Sequence, residues 1–536
     1  TFSAPVALIA AFNPFQSAWS DIIAEVCPNI PYTLSHKINP ILREYRRASS
    51  TAIDASLKPL MQSYLLDLES DLRAAGYQND CLVSTSFGGV MHLRDVVERP
   101  IYLVKSGPAM APVAGLAYVQ AEDLANDVIV CDAGGTTFDV SLVRDGLVEF
   151  SRDTWLGPQW VGDNLGMASV AVHSIGAGGG SIAWVDSGGL MRVGPQSAGS
   201  EPGPACYQLG GKEPTVTDAA VTLGYIDPAH FLGGRMQLSE DAARKAVEKI
   251  AVELGQSVER AAFAIMAVAN ENMIQAIKEL TINEGINPAE SAVVAGGGAG
   301  GLNIAPIAAE LGCKTVLIPR TAGALSASGM QFSDIITEAG ASALTHTEAF
   351  DFEGVNKALE KIDQELDEFG DRLKARGIEN IHKRYFVEAR YRFQVWELEI
   401  EVKSNRFNND NDVEELVQEF HRVHDRVFAV TDEGQAVECL NWRGRLIADV
   451  NPPSLDPGRG DAATTVDPDR TREAYFGEGQ IQTPIYFGPK LPNGAVVDGP
   501  AIIEEPTSTL VVYPGASARV SAGGRYVLTP PEEQLV

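Results

Sequence analysis

Apolar and polar positions alternate in two rhythms through the first quarter of the chain. Short apolar runs predict strands over residues 6–12, 32–35 and 81–84, and 3.6-residue spacing predicts helices over 17–27 and 43–65. A glycine pair at Gly88-Gly89 follows the third strand, and 105–115 reads as a loop entering a helix of small residues. From Asp127 the pattern becomes strand-rich: 128–132 and 140–143 flank a Gly-Gly turn, with a third strand over 147–150. Residues 176–211 are glycine-rich and too sparse in apolar side chains for a core of their own, so they read as an ordered excursion of loops and short strands. A helix over 257–280 carries Phe263, Met266, Met273, Ile277 and Leu280 on one side. A strand over 291–295, the run Gly296-Gly-Gly-Ala-Gly-Gly301, a helix over 304–311 and a strand over 315–318 make one βαβ unit. After about 345 the pattern turns to a charged helix (352–374), a strand pair (384–402) and a helix lined by Val413, Leu416, Val417, Phe420, His424 and Val427, capped by Asp412. Residues 451–472 look like a linker, and 499–528 a run of short strands.

Strands alternating with helices place the chain in the α/β class. A length of 536 residues exceeds one hydrophobic core, and the changes of rhythm put domains at 1–125, 126–345 and 346–536. The formal net charge of −29 argues against a nucleic-acid or anionic-membrane surface. Six scattered cysteines without a CxxC pair exclude a disulfide scaffold or zinc ribbon and favour a reducing, cytoplasmic setting. No run of about 18 apolar residues predicts a membrane span. The opening apolar residues lack a basic flank and a cleavage pattern, so they read as a core strand continuing something longer.

Two glycine segments carry the chemistry. In Cys131-Asp-Ala-Gly-Gly-Thr-Thr-Phe-Asp139, glycines let the backbone bring N–H groups against an anion. Gly134, Gly135, Thr136 and Thr137 are the candidate phosphate holders. Asp132 is the candidate Mg²⁺ ligand and organiser of the attacking group, and Asp139 either shares that role or caps the turn. The second segment, Gly296, Gly297, Gly298, Ala299 and Gly300, fits two ligands. As G-x-G-x-x-G between strand and helix it matches a dinucleotide site, and Arg320 at the end of the next strand suits NADP rather than NAD. As a glycine turn it equally lets an adenosine lie flat in the second half of an ATP site. No P-loop, G-x-S-x-G or H-E-x-x-H motif exists. His173 is a candidate for proton transfer. His421 and His424 read as core residues rather than metal ligands, and Asp218 as a cap rather than a metal carboxylate.

The hairpin followed by the glycine turn resembles the sugar kinase, actin and heat-shock chaperone ATPases. The resemblance narrows at His173-Ser-Ile-Gly-Ala-Gly-Gly-Gly-Ser-Ile-Ala-Trp-Val-Asp186, Arg192-Val-Gly-Pro-Gln-Ser-Ala-Gly-Ser-Glu-Pro-Gly-Pro-Ala-Cys-Tyr207 and Pro214-Thr-Val-Thr-Asp-Ala219. These segments, with Leu325-Ser-Ala-Ser-Gly329 and Gln394-Val-Trp-Glu-Leu398, are similar to the hydantoinase A, 5-oxoprolinase and acetone or acetophenone carboxylase family. The resemblance implies an actin-like ATPase fold with ribonuclease H-like lobes: the remainder of a first lobe at 1–125, a second lobe at 126–345 and a C-terminal α+β domain ending in short strands. It also implies an earlier Asp-x-Gly-Gly-Thr-Phe-Thr-Asp hairpin, which this sequence does not contain. The implied activity is ATP- and Mg²⁺-dependent phosphorylation of a carbonyl oxygen, for cyclic-amide hydrolysis or, with bicarbonate, ketone carboxylation. A hydantoinase B-type subunit is the implied partner in a hetero-oligomer, with no nucleic acid or membrane. The rivals are an ATPase-fold scaffold or nucleotide sensor and, more distantly, an NADP-dependent oxidoreductase.

Overall fold

The strands flanking Gly134-Gly135 lie side by side, second and third from one edge of a ten-stranded sheet. The structure is a computed structural model describing residues 6–8, 13–41, 43–151, 153–157, 160–450, 455 and 463–532. Its chain divides into two compact units: Thr1–Ala109 with Phe150–Val170 and Ser333–Pro452, and Met110–Glu149 with Ala171–Phe332 and Pro453–Val536.

The second unit holds the large sheet, whose strands are β1 (Val128–Ala133), β2 (Phe138–Arg144), β3 (Leu147–Val148), β4 (Val172–Ile175), β5 (Ala292–Gly296), β6 (Val316–Ile318), β7 (Thr464–Thr465), β8 (Ala495–Asp498), β9 (Ser517–Val520) and β10 (Tyr526–Thr529). Their spatial order is β4-β2-β1-β5-β6-β10-β9-β8-β7, with β3 on β2. β1 pairs antiparallel with β2 and parallel with β5, and β5 pairs parallel with β6 across the expected βαβ unit. Val128, Ile129 and Val130 are fully buried, as a strand covered on both faces requires. Helix α1 (Ala111–Glu122) packs on β1, where the bare Cα of Gly115 lies so close to Val130 that an added Cβ would collide with it. Helices α2 (Val216–Thr222), α3 (Glu240–Leu254) and α4 (Val258–Glu284) share one apolar core with the sheet. α4 is bounded by Ser257, which accepts the Arg260 N–H, and by left-handed Gly285. Helix α5 (Gly300–Glu310) joins β5 to β6.

The division departs from the sequence-based expectation at several points, and residues 150–170 and 333–345 group with the first unit. Residues 111–125 belong with the large sheet, because α1 covers β1. Residues 346–536 divide after Pro452: β10 pairs with β6, so the last two strands extend the large sheet, while Ala501–Glu504 and Thr509–Val512 join Arg470–Tyr475 and Gln480–Phe487 in a separate four-stranded sheet of the same unit. Part of the expected linker is strand, at Thr464–Thr465 and Arg470–Tyr475, and most of its remainder lies outside the described residues. The strand expected over 6–12 is present at Val6–Leu8, and 9–12 lie outside the described residues.

The first unit is built on a six-stranded sheet in the order Leu398–Val402, Ile381–Tyr391, Val437–Ala448, Ile335–His346, Val90–His92, Leu82–Ser84. Helix Phe352–Lys374 turns Val355, Leu359, Ile362 and Leu366 inward, and Trp442 is fully buried in the same core. Arg443 lies in this sheet, its guanidinium 3.0 Å from Glu338 and 2.9 Å from Glu388. Among the described residues, no helix is long and apolar enough to cross a membrane.

Candidate functional site

The hairpin forms as the Gly-Gly turn predicts. Asp132 sits opposite Asp139 in the ladder, and the turn closes with the Gly134 N–H donating to Thr137 O at 3.0 Å. Gly135, Thr136 and Thr137 are exposed at its tip. The glycine-rich excursion braces it: the Gly179 N–H donates to Gly134 O at 3.0 Å and the Gly180 N–H to Gly135 O at 2.6 Å. Thr217, at the start of α2, donates its hydroxyl to Gly179 O at 2.8 Å. Gly178 packs so tightly that a Cβ there would stand 2.7 Å from Gly134 O and 2.8 Å from Thr136 N.

The second glycine segment reaches the same place from the other side. Gly297 has φ +81°, and a Cβ there would collide with the Ala133 backbone. The Ala299 N–H donates to Ala133 O at 3.0 Å, so the two glycine turns, some 160 residues apart in sequence, are hydrogen-bonded neighbours. A cavity of about 150 Å³ opens over both, lined by Gly134, Gly135, Gly298 and Ala299. Gly296, Gly297 and Gly300 are buried and shape the turn from behind. α5 begins at Gly300, which puts the positive end of its dipole beside the cavity. The rest of the wall comes from Gly179, Tyr207 and Thr217, from residues 226–232 and Leu302, and from residues 504–509. Sequence reasoning missed the last two stretches: 226–232 carries turn signals without a chemical pattern, and 504–509 connects strands far along the chain.

Asp132 is mostly buried and accepts the Ser326 hydroxyl at Oδ2, 2.9 Å away. Burial raises its carboxyl above the ordinary 3.8, Ser326 opposes that shift, and the Asp139 charge adds to it. An acid held this way is poised for a cation. Among the described residues no cluster of three or more His, Cys, Asp or Glu could cage a metal. Mg²⁺ does not need one, because it binds through one or two carboxylates plus phosphate oxygens and water. The Asp132–Asp139 pair beside a phosphate-sized glycine cradle therefore fits Mg²⁺-ATP.

The remaining candidates separate. His173 lies on β4 and lines a different cleft of about 500 Å³ with Trp184, Arg192 and Asn272. Asp218 is fully buried in a capping box with Thr215 and also accepts the Cys206 N–H at 2.8 Å, so it is structural. His421 bonds Tyr391 Oη at 2.7 Å, and His424 bonds Val430 O at 2.6 Å, both as packed core residues. Arg320, on which the NADP reading depended, donates to Gly524 O at 2.8 Å, Gly488 O at 2.9 Å and Leu491 O at 3.3 Å. Its guanidinium is committed to the protein, and the dinucleotide reading loses its anchor.

Comparison with known proteins agrees with this geometry. The hydantoinase/oxoprolinase family model matches residues 47–339, and that of the hydantoinase/oxoprolinase C-terminal domain matches 349–523. The caprolactamase subunit alpha of Pseudomonas jessenii is 34% identical over 521 residues, covering 95% of this chain and 73% of that protein. The acetophenone carboxylase gamma subunit of Aromatoleum aromaticum is 32% identical over 520 residues, covering 93% and 69%. The crystal structure of the ATP-dependent caprolactamase from Pseudomonas jessenii matches with a TM-score of 0.83 at 34% identity, over 97% of this chain and 75% of that one. The expected actin-like α/β fold is thus present.

Proposed function

The chain belongs to the hydantoinase/oxoprolinase family, and from that premise we propose that it is a subunit of an ATP-dependent enzyme that phosphorylates a carbonyl oxygen of a cyclic amide or a ketone. The observation that carries this reading is the single cavity shared by the two glycine turns, joined through Ala299 N–H and Ala133 O. One turn suits phosphates and the other a flat nucleoside, as the two ends of ATP require.

In this proposal Gly134, Gly135, Thr136 and Thr137 hold the phosphates. Gly298 and Ala299 receive the adenosine on a turn shaped by Gly296, Gly297 and Gly300. Asp132, with Asp139 opposite, holds Mg²⁺; the ion, when bound, neutralises charge on the phosphate oxygens. Asp132 also orients the attacking oxygen. That oxygen bonds to the γ-phosphorus as the bridge to ADP breaks, leaving a phosphorylated amide or enol. The phosphorylated amide becomes open to water, which releases phosphate. On the ketone branch an α-proton is lost as the enol oxygen is phosphorylated; passing that phosphoryl group to bicarbonate gives an enolate and carboxyphosphate, which join carbon to carbon with release of phosphate. Catalysis by the chain is positioning and charge neutralisation. The second step is assigned to a hydantoinase B-type partner. His173 lines the neighbouring cleft and stays outside this assignment.

The test is phosphate release from ATP by the chain with a hydantoinase B-type subunit, screened against hydantoins, lactams, and ketones with and without bicarbonate. Release that requires an amide identifies the hydrolase branch, and release that requires ketone plus bicarbonate the carboxylase branch. ATP binding with no turnover on any of them would favour the scaffold reading.

A further inference from the structure

The nucleotide cavity holds one acid that neither this mechanism nor a pair of arginines takes up. Glu505 lines it from the loop between strands Ala501–Glu504 and Thr509–Val512 and is only 8% exposed. Its Oε1 is tied down, accepting the Tyr526 hydroxyl and facing Arg320 Nη1 at 3.5 Å. Oε2 has no hydrogen-bond or ion-pair partner among the described residues. The neighbouring acids in the wall differ: Glu504 and Asp227 are both paired with Arg470 and Arg472. Gly488, which accepts from Arg320 Nη1, packs against the same carboxylate, where a side chain would displace it.

A rigid carboxylate with one free oxygen is an acceptor awaiting a donor. It cannot serve the phosphate end, where it would repel the ligand. On a nucleotide the donors are the ribose hydroxyls and the amino group of the base. The glycine turn at 298–299 offers the base a flat face, which leaves the acid for the sugar. Arg320 stands at the end of β6, where a dinucleotide fold places the acid that binds a ribose. Here that point carries a guanidinium, and the acid arrives from a loop 185 residues later and is held against it.

We propose that Glu505 is the ribose-recognising residue of the nucleotide site, with Tyr526 and Arg320 as its positioning residues. This rests on the ATP reading above and adds a specificity determinant to it. The site selects ribonucleotides over deoxyribonucleotides through Glu505 Oε2.

Calorimetric titration of the whole chain with Mg²⁺-ATP, 2′-deoxy-ATP, 3′-deoxy-ATP, purine riboside triphosphate and tripolyphosphate tests it. ATP binds about tenfold tighter than at least one deoxy analogue, the scale of one hydrogen bond to a charged group. Glu505→Gln removes that preference and leaves tripolyphosphate affinity unchanged. Tyr526→Phe, which frees the carboxylate without removing it, reduces the preference by a smaller factor. Equal binding of ATP and both deoxy analogues, or a preference that survives Glu505→Gln, overturns the proposal. So does a selective loss with the purine riboside analogue, which would assign Glu505 to the base. If the wild-type chain binds tripolyphosphate but no nucleoside triphosphate better, the ribose assignment fails alone. If it binds neither, the ATP reading fails with it.

Discussion

Gly178→Ala tests whether the glycine-rich excursion sets the geometry of the phosphate turn. The added Cβ would stand 2.7 Å from Gly134 O, 2.8 Å from Thr136 N and 2.9 Å from Gly135 C, all backbone atoms. Reaching the 3.4 Å of ordinary contact means opening the packing by about 0.7 Å. Overpacking of this kind costs about 1–3 kcal/mol of stability. The effect on ligand is larger, because a bond to phosphate of about 2.9 Å that lengthens by that amount passes the limit of a useful hydrogen bond. Loss of one charge-assisted bond, worth about 1.5–3 kcal/mol, weakens ATP roughly 10- to 150-fold. Calorimetry should show the same loss for tripolyphosphate, with circular dichroism unchanged. Gly107→Ala, where a Cβ meets nothing within 4 Å, is the control. ATP affinity within about twofold of wild type in a folded Gly178→Ala protein would refute the reasoning.

Asp132 supplies a pH prediction. Its carboxyl is raised above the ordinary 3.8 by burial first, with Asp139 adding and Ser326 opposing. The folded chain therefore keeps a proton that the unfolded chain has already released. This group favours folding at pH below 3.8, and the contribution is lost as pH rises through its folded value. Asp132→Asn should raise the melting temperature of the nucleotide-free protein at neutral pH and flatten its pH dependence, while ATP turnover falls about 10²-fold or more; a melting temperature lowered at neutral pH would contradict this. In the first unit, Arg443→Met removes one ion pair from each of Glu338 and Glu388, whose side chains are 12% and 6% exposed, while Glu338 keeps Arg445 and Glu388 keeps Asn441. Loss of two charge-assisted hydrogen bonds, each worth about 1.5–3 kcal/mol, should lower stability by about 3 kcal/mol or more in urea unfolding followed by tryptophan fluorescence. Five of the six tryptophans lie in that unit, so the signal reports on it.

The sequence made local features legible and long-range closures opaque. Asp132, Gly134 and Gly135 were readable because a tight turn between strands needs glycine at fixed offsets, and the βαβ unit at 292–318 because apolar period and glycine punctuation coincide. Asp218 was readable as a capping residue, although the N-cap itself is Thr215 and Asp218 is the third residue of its capping box. What stayed hidden depended on strand pairing over hundreds of residues. Nothing near Tyr526 says that its strand pairs with Ile318, and that pairing assigns the last eighty residues to the nucleotide unit. Ser326 sat in a recognised segment, yet its bond to Asp132 spans 194 residues and has no local signature. His173 was misleading for the converse reason: it is near the hairpin in sequence, and on β4 it is two strands from β1, lining another cleft.

Two acids, Glu505 in the wall of this cavity and Asp132 behind its phosphate turn, join the stability of the unit to its ligand. Asp132 and Glu505 are both held above their ordinary carboxylate range chiefly by burial, one beside the phosphate turn and one at the far wall. Each is costly to keep ionised in an empty site, and in the proposed Mg²⁺-nucleotide complex each would gain a partner. The cavity wall is assembled from residues near 134, 179, 230, 298 and 505, so a ligand touching all of them links segments that are otherwise joined through the sheet. A ligand that binds only the folded form at a hundred times its dissociation constant adds about 2.7 kcal/mol. For this chain the increment should exceed the sum from Asp132→Asn and Glu505→Gln proteins tested with the same ligand, each at the same absolute concentration. The wild type alone recovers both burial penalties, and each variant loses affinity along with its own penalty.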